Sequence, residues 1–274
     1  MNRHTPSGPL TTSRSGSFWV GVEDRVDVVD RPGHGRSPHQ PDILGPMGPQ
    51  MGSSRCGRSS SRRPTALGHT RPRTCTQWPG GREPGDPVYD QWLAPNGPLL
   101  ASWADMHALE QARLAELLDL VGPAVLVTHS AAGPGTFLAA DARPERVAAD
   151  RDRDGGTAVR SAARDGARPG LGPGQRPAHL RPAAASPEDF QGGPARRLPN
   201  VSRFPIAVVT GEASMFRAFD RETVSFLERT GCDVELVRLD EHGVHGNAHG
   251  IMVERSNAEA LAVLKRWVEG KPAT

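Results

Sequence analysis

The sequence predicts an α/β protein with a doubly wound, mostly parallel sheet that is incomplete. Two observations lead to this fold class. Short apolar runs typical of buried parallel strands alternate with amphipathic segments of helix length, and two long Arg-rich blocks interrupt the alternation. Strands separated in this way need crossover connections, which place helices against a parallel sheet. We expect one domain over residues 25–271, preceded by an irregular segment 1–24 and interrupted by poorly ordered segments at 47–75 and 149–185.

The strands are predicted from their apolar residues. Residues 26–30 (VDVVD) alternate as a strand does, and a Gly/Pro turn follows them. Residues 124–127 (AVLV) and 204–210 (FPIAVVT) are continuous apolar runs, as expected for strands buried on both faces of a parallel sheet. Residues 234–239 (VELVRL) form a further strand in this interpretation.

The helices are predicted from apolar spacing and from their end signals. Residues 136–140 and 221–229 read as helices, the second closed by Gly231, and a capping box of Ser256 and Glu259 begins the last helix. The face of that last helix is Leu261, Leu264 and Val268, with Trp267 beside it. The longest helix, over 100–120, has a stripe at steps of three and four formed by Trp103, His107, Glu110, Leu114, Leu117 and Val121.

Composition and charge exclude several classes of protein. Among 274 residues there are 31 glycines and 26 prolines, and the hydrophobic share is 36%. No apolar run approaches the ~18 residues of a membrane span, so no membrane partner is expected. The formal net charge of +2 gives no general case for a nucleic-acid partner. Three scattered cysteines predict neither a disulfide framework nor a zinc site, and an N-terminus without an apolar run predicts a cytoplasmic protein. Nothing in the sequence indicates an oligomeric state.

Ser130 stands where a nucleophile would be exposed. It lies directly after the predicted strand 124–127 and directly before a helix, in the segment THSAAGP. A sharp strand-to-helix turn exposes the Ser Oγ and points backbone N–H groups of the helix at developing negative charge. Small neighbours allow the backbones to cross closely at such a turn. The alternative is a serine that caps the helix of an ordinary βα loop.

Three motifs together resemble the α/β-hydrolase superfamily: VVDRPGHGRSP at 28–38, THSAAGP at 128–134 and HGVHGNAHG at 242–250. They are most similar to a bacterial serine-esterase-like subgroup with a Thr-His-Ser-x-x-Gly elbow and a His-Gly-Asn-x-His segment. The order, Ser first and His last, agrees with that family. The resemblance implies an α/β-hydrolase fold and hydrolysis of a small-molecule carboxylic ester through an acyl-enzyme, with no cofactor. Both glycines of the common Gly-x-Ser-x-Gly are replaced here, by Thr128 and Ala132.

The resemblance also assigns roles to individual residues. His249 is the candidate general base, in a loop from which an imidazole can reach the Ser130 hydroxyl. The backbone N–H of Ala131 is the candidate oxyanion donor. The second donor normally comes from a Gly-rich loop that follows an earlier strand, upstream of residues 26–30, and residues 1–24 contain no recognisable unit of a strand and a Gly-rich loop.

The acid of the triad has two candidate positions. Glu212 stands at the end of the predicted strand 204–210, the usual place in this fold, with a charged helix-start residue as the alternative interpretation. The subgroup is thought to place its acid one strand earlier, where this chain has ADRDRDGG at 149–156. A metal site of His242, His245 and His249 is the other alternative for this region, and it is disfavoured because the loop spacing does not make three imidazoles converge.

The two Arg-rich blocks have unusual composition. Residues 47–75 hold six arginines and no acid, and residues 149–185 hold seven arginines and few large apolar side chains. They could be disordered inserts, RNA-binding segments or sequence translated out of frame. We favour the last, because a one-base shift of a GC-rich coding string for residues 150–154 gives Ile-Val-Thr-Val-Thr, a strand pattern. A non-catalytic, decayed or frameshifted homologue is therefore the main alternative function. An Arg-rich nucleic-acid-binding chain is a weaker one, since the blocks lack interleaved aromatics.

Overall fold

The structure is a computed structural model, and it describes the following residues: 26–37, 40–48, 76–81, 84–94, 98, 100–148, 157–158, 197–214 and 216–270. The predicted irregular segment 1–24 lies outside the described residues, as do nearly all of the Arg-rich blocks 47–75 and 149–185. The predictions for these segments therefore stay predictions.

In the described residues four helices come before the first strand, and helices separate and follow the last two strands. The helices are α1 Pro41–Leu44, α2 Pro87–Leu93, α3 Trp103–Val121, α4 Gly133–Ala142, α5 Arg217–Arg229 and α6 Asn257–Val268. The strands are β1 Thr157–Ala158, β2 Ile206–Thr210 and β3 Val234–Arg238. None of the helices in this part of the chain has the length and hydropathy needed to cross a membrane.

The described strands form one parallel sheet in the order β1-β2-β3. Strand β2 is central: Ile206 pairs with Thr157 on one side and with Val234 on the other. The β2–β3 pairing runs on to Thr210 and Arg238. Helix α5 makes the crossover between these two strands, as the sequence predicts for a parallel sheet.

The core lies on both faces of β2. Ala207 and Val209 pack into a cluster that includes residues of β3 and of helix α6. The alternate residues, Ile206 and Val208, pack into a second cluster with residues of helices α4 and α5. Successive strand side chains point to opposite faces, so one fully buried strand serves both clusters. The predicted sheet with helices on both faces is thus present, as a small parallel sheet.

Two predicted strands are wrong. Residues 26–30 have no ladder in the described chain, and the side chains of Val28 and Val29 are 61% and 49% exposed. Residues 124–127 make a single parallel bridge, from Ala124 to Val147, and Val127 is exposed. A buried parallel strand needs a paired neighbour on each side. Among the described residues neither segment has two, so the apolar runs do not become strands.

The predicted helices are present, but their bounds, buried residues and caps differ from the prediction. Helix α3 begins after Ser102, whose hydroxyl accepts the Asp105 N–H. Of the predicted stripe Glu110 is buried, and the other buried residues of this helix are Met106, Ala115 and Leu118. Helix α6 begins after Ser256, but the Ser256 side chain makes no cap hydrogen bond. Its hydroxyl is used by another loop, described below.

Candidate active site

Ser130 adopts a backbone conformation that side chains rarely take. Its φ is +57°, and it is the only residue other than glycine with positive φ in the described chain. The left-handed region crowds Cβ against the backbone, so this value marks a sharp turn. Ser130 begins a 3₁₀ turn, Ser130–Ala132, which leads directly into α4. Ala131 therefore lies at the N-terminal end of a helix, next to the Ser130 hydroxyl.

The structure brings Ser130 and His249 together. The Ser130 Oγ lies 2.9 Å from the His249 Nε2, although the two residues are 119 positions apart. For the hydroxyl to donate to Nε2, the imidazole must be neutral with its proton on Nδ1. A base in this position can take the hydroxyl proton as the oxygen attacks.

Two aromatic rings confine the imidazole of His249. The ring centroid of His129 lies 4.5 Å away, and that of Phe216 lies 4.6 Å away with its plane inclined by 67°. The His129 Nε2 also donates to the backbone carbonyl of His249 at 2.8 Å. The residue directly before the serine therefore fixes both the ring and the backbone of the histidine. Neither contact was predicted from the sequence, because both depend on tertiary packing.

The structure does not bring Glu212 to His249. The Glu212 Oε2 accepts the backbone N–H of Gly246 at 3.0 Å and lies 3.4 Å from the His245 Nδ1. These contacts turn the carboxylate toward the loop before His249 rather than toward its ring. Glu212 as the triad acid stays a prediction, and its position in this structure is that of a loop anchor. The other predicted acid position, 149–156, lies outside the described residues.

The three histidines of the metal alternative diverge. His249 contacts Ser130, while His245 lies against Glu212. No group of three or more His, Cys, Asp or Glu side chains that could hold a metal occurs in the described parts of the chain.

An ion pair between a half-buried arginine and a buried glutamate lies against helix α4, which follows Ser130. The Arg31 Nε donates to the Glu110 Oε1 at 2.5 Å, and Glu110 is 3% exposed. Burial raises the pKa of Glu110, and the attraction of Arg31 opposes that rise. A Cβ at Gly135 of helix α4 would overlap the Glu110 carboxylate, so only glycine allows α3 and α4 this close approach. The pair thereby fixes the helix that follows Ser130.

The site contains a serine hydroxyl that is hydrogen-bonded to an imidazole at the start of a helix, in a protein with a parallel sheet. This arrangement is typical of the class of proteins that use serine as a nucleophile. No family model matches the chain. The chain is similar to a protein named "Probable secreted lipase phiG" from a fungal species (strain ATCC 74256), with 28% identity over 282 residues that cover 92% of this chain and 74% of the relative.

A solved structure, "The Atomic Resolution Structure of a Novel Bacterial Esterase", is also similar. It shares 19% identity with a TM-score of 0.43, over 66% of this chain and 48% of that one. The chain thus spans about half the length of this solved structure.

The likeness to the lipase supports the broad form of the resemblance drawn from the sequence motifs, an α/β-hydrolase-type family. It also corrects one prediction. The relative is named as secreted, which contradicts a cytoplasmic location and points to an extracellular one. A missing apolar run near residue 1 was a poor guide to the compartment.

Proposed function

We propose that this protein is a serine hydrolase of α/β-hydrolase type that cleaves small-molecule carboxylic esters through an acyl-enzyme. The hydrogen bond between Ser130 Oγ and His249 Nε2 carries the proposal, since it joins a nucleophile to a base at hydrogen-bonding distance. The turn at Ser130 supports it, because the left-handed backbone of this residue leads directly into a helix, as the backbone of a nucleophile at a sharp turn does. The 28% identity to a lipase over most of the chain gives independent support for ester substrates.

In the proposed reaction, the Ser130 Oγ attacks the ester carbonyl carbon while His249 Nε2 takes the hydroxyl proton. The carbonyl oxygen becomes an oxyanion, to which the Ala131 N–H donates. Collapse of this intermediate breaks the bond to the alkoxy group, which leaves as the alcohol with the proton held by His249. A water then attacks the acyl-enzyme, with His249 again as base, and releases the acid and free Ser130.

The test compares hydrolysis of p-nitrophenyl acetate by the wild type and by Ser130→Ala and His249→Ala. We expect each variant to lose about 10⁴-fold in kcat, since members of one catalytic unit each remove most of the rate. Ser202→Ala is the matched control. Ser202 sits in the turn before β2, where its hydroxyl donates to the Pro199 carbonyl, and loss of that hydroxyl should leave kcat unchanged. Equal rates for wild type and Ser130→Ala would reject the enzyme and favour a non-catalytic homologue.

A further inference from the structure

A buried carboxylate holds the two residues that directly precede His249. Glu254 is 3% exposed, and its Oε1 and Oε2 lie 3.0 and 3.1 Å from the backbone N of Ala248. The Glu254 Oε2 also accepts from the Asn247 Nδ2 at 2.9 Å. The carboxylate thus bonds one side-chain donor and one backbone donor at adjacent residues, which closes the segment 247–254 into a loop around His249.

Asn247 is fixed at its other end as well. It is fully buried, with 0% exposure, and the Ser256 Oγ lies 2.8 Å from its Nδ2 and 3.0 Å from its Oδ1. Its backbone carbonyl accepts the N–H of Ala213 at 2.8 Å. Asn247 is therefore bonded to the residues after β2 and to the start of helix α6 at once.

The end of strand β2 closes the remaining side of this loop. A Cβ at Gly211 would overlap the backbone carbonyl oxygens of Asn247 and Ala248. The φ of Gly211 is not in the left-handed region, so the close approach and not the backbone conformation requires glycine here. The peptide between Asn247 and Ala248 is consequently held between the strand end and the Glu254 carboxylate.

We propose that Glu254 and Asn247 are positioning residues that set the place of the His249 imidazole relative to the Ser130 hydroxyl. The proposal rests on the ester-hydrolase function proposed above, because that function gives the Ser–His distance its meaning. A hydrogen bond of 2.9 Å does not survive a backbone displacement of about 1 Å, and misplacement of this size can cost about 100-fold in rate. The hydrogen bonds of Glu254 and Asn247 described above form a clamp on the backbone of residues 247 and 248, and we expect this clamp to act on His249 through that backbone.

In the hydrogen bond between these residues Asn247 donates and Glu254 accepts, so exchanging donor and acceptor by mutation tests the proposal. The Ala248 N–H contacts both oxygens of Glu254, and the Asn247 Nδ2 contacts one of them, so in Glu254→Gln either orientation of the amide places its N–H₂ group against a donor and weakens the hold on Ala248. In Asn247→Asp two carboxylates face each other at the same short distance. The double variant Asn247→Asp/Glu254→Gln reverses the direction of the bond, since the glutamine N–H₂ donates to the aspartate while its Oε1 still accepts the Ala248 N–H. Its net charge equals that of the wild type.

The measurement is kcat and KM for p-nitrophenyl acetate, with near-UV spectra to confirm that each variant is folded. We expect each single variant to lose at least about tenfold in kcat with KM changed by less than about threefold, and the double variant to recover to within about threefold of the wild type. Glu259→Gln, an exposed change in the first turn of α6, is the control and should leave kcat unchanged. Folded single variants with wild-type kcat, or a folded double variant no better than the singles, would overturn the proposal.

A second readout does not depend on activity. Hydrogen exchange of the Ala248 amide reports the bond to Glu254 directly, so Glu254→Gln should exchange faster and the double variant should regain protection. If Ser130→Ala hydrolyses the ester as fast as the wild type, the proposed function fails, and this exchange alone decides whether the clamp exists. Unchanged protection in Glu254→Gln rejects it.

Ser256→Ala keeps the test decisive if both single variants fail to fold. This change removes both contacts between the Ser256 hydroxyl and the Asn247 amide without adding charge. We expect about threefold lower kcat at unchanged KM, together with faster Ala248 exchange. Wild-type kcat and exchange in this variant would contradict the role of Asn247.

Discussion

Contacts hold His249 both at its imidazole ring and at its backbone carbonyl. Ser130 lies at Nε2, and the rings of His129 and Phe216 lie against the imidazole. The His129 side chain bonds the His249 carbonyl. In the proposed reaction, an imidazole confined in this way loses little freedom when it acts as the base, which favours proton transfer along one path.

The replacement of Glu212 tests whether its carboxylate acts as the triad acid or holds a loop. Glu212→Gln keeps one acceptor for the Gly246 N–H but removes the charge beside His245. We expect kcat to fall by no more than about tenfold, because the carboxylate holds a loop in this structure, whereas loss of a triad acid costs about 10⁴-fold. The measurement is the kcat of Glu212→Gln for p-nitrophenyl acetate, compared with the kcat of Ser130→Ala. A loss as large as that of Ser130→Ala would establish Glu212 as the acid.

The sequence motifs predicted Ser130 and His249, which the structure brings to hydrogen-bonding distance, but not the residues that contact them. Ser130 and His249 stand in motifs whose order along the chain is informative. The sequence around Glu254 contains one indication of its role, because this acid directly follows the apolar run Ile-Met-Val. A charged side chain that is buried with such a run needs a partner. Phe216 gave none, since a ring contact between residues far apart in sequence follows only from packing.

At the scale of elements, an ion pair connects the two segments that carry Phe216 and His249. Arg217, the first residue of α5, bonds Asp240 through both terminal nitrogens, at 2.6 and 2.8 Å. Asp240 lies in the 3₁₀ turn Leu239–His242, from which the chain runs on to His249. The hydrogen bonds from Arg217 lower the pKa of Asp240 against the opposing effect of burial. The pair therefore links the start of a helix to the histidine loop.

This ion pair should stabilise the protein at neutral pH and lose its effect in acid. Because the folded-state pKa of Asp240 is lowered, the contribution is complete above the unfolded value of about 3.9 and disappears as the pH falls through the folded value. A double-mutant cycle with Arg217→Met and Asp240→Asn should give a coupling of about 1 kcal/mol in urea unfolding at pH 7.

The exposed pair Arg238–Glu241 serves as the matched control and should give about 0.3 kcal/mol at the same pH. The Arg217–Asp240 coupling should shrink as the pH is lowered below about 4. A coupling that stays constant down to the acid unfolding limit would contradict the assigned cause.

The predicted strands are confirmed where the apolar run is paired and buried. The runs 204–210 and 234–239 became strands because each finds a parallel neighbour and apolar cover. The runs 26–30 and 124–127 are as apolar, yet only Ala124 has a described bridge partner. A strand is a property of at least two segments, so a single run of sequence cannot determine it.

At the scale of the whole molecule, two clusters share one central strand. Leu239 is fully buried in the cluster against α6, and Phe204 is buried in the cluster against α4 and α5. Residues of β2 enter both. Damage to either cluster should therefore reach the other through the sheet.

We expect Leu239→Ala and Phe204→Ala each to destabilise the protein by about 2–5 kcal/mol, as large-to-small changes at buried sites do. Both should lower the midpoint of one shared unfolding transition, because the clusters have β2 in common. Thermal unfolding followed by calorimetry measures this, with Leu120→Ala, an exposed position of α3, as the control. Two separate transitions, of which each variant shifts only one, would show that the clusters unfold independently.

The backbone of Ser130 sets activity and stability against each other. A left-handed conformation costs a residue with a Cβ about 1–2 kcal/mol, and glycine escapes that cost. Ser130→Gly should therefore resist urea better than Ser130→Ala, by about 1 kcal/mol, although both lack the hydroxyl. Under the proposed function, selection for a more stable fold and selection for a nucleophile act in opposite directions on this one position, and a lineage released from catalysis would drift toward glycine there.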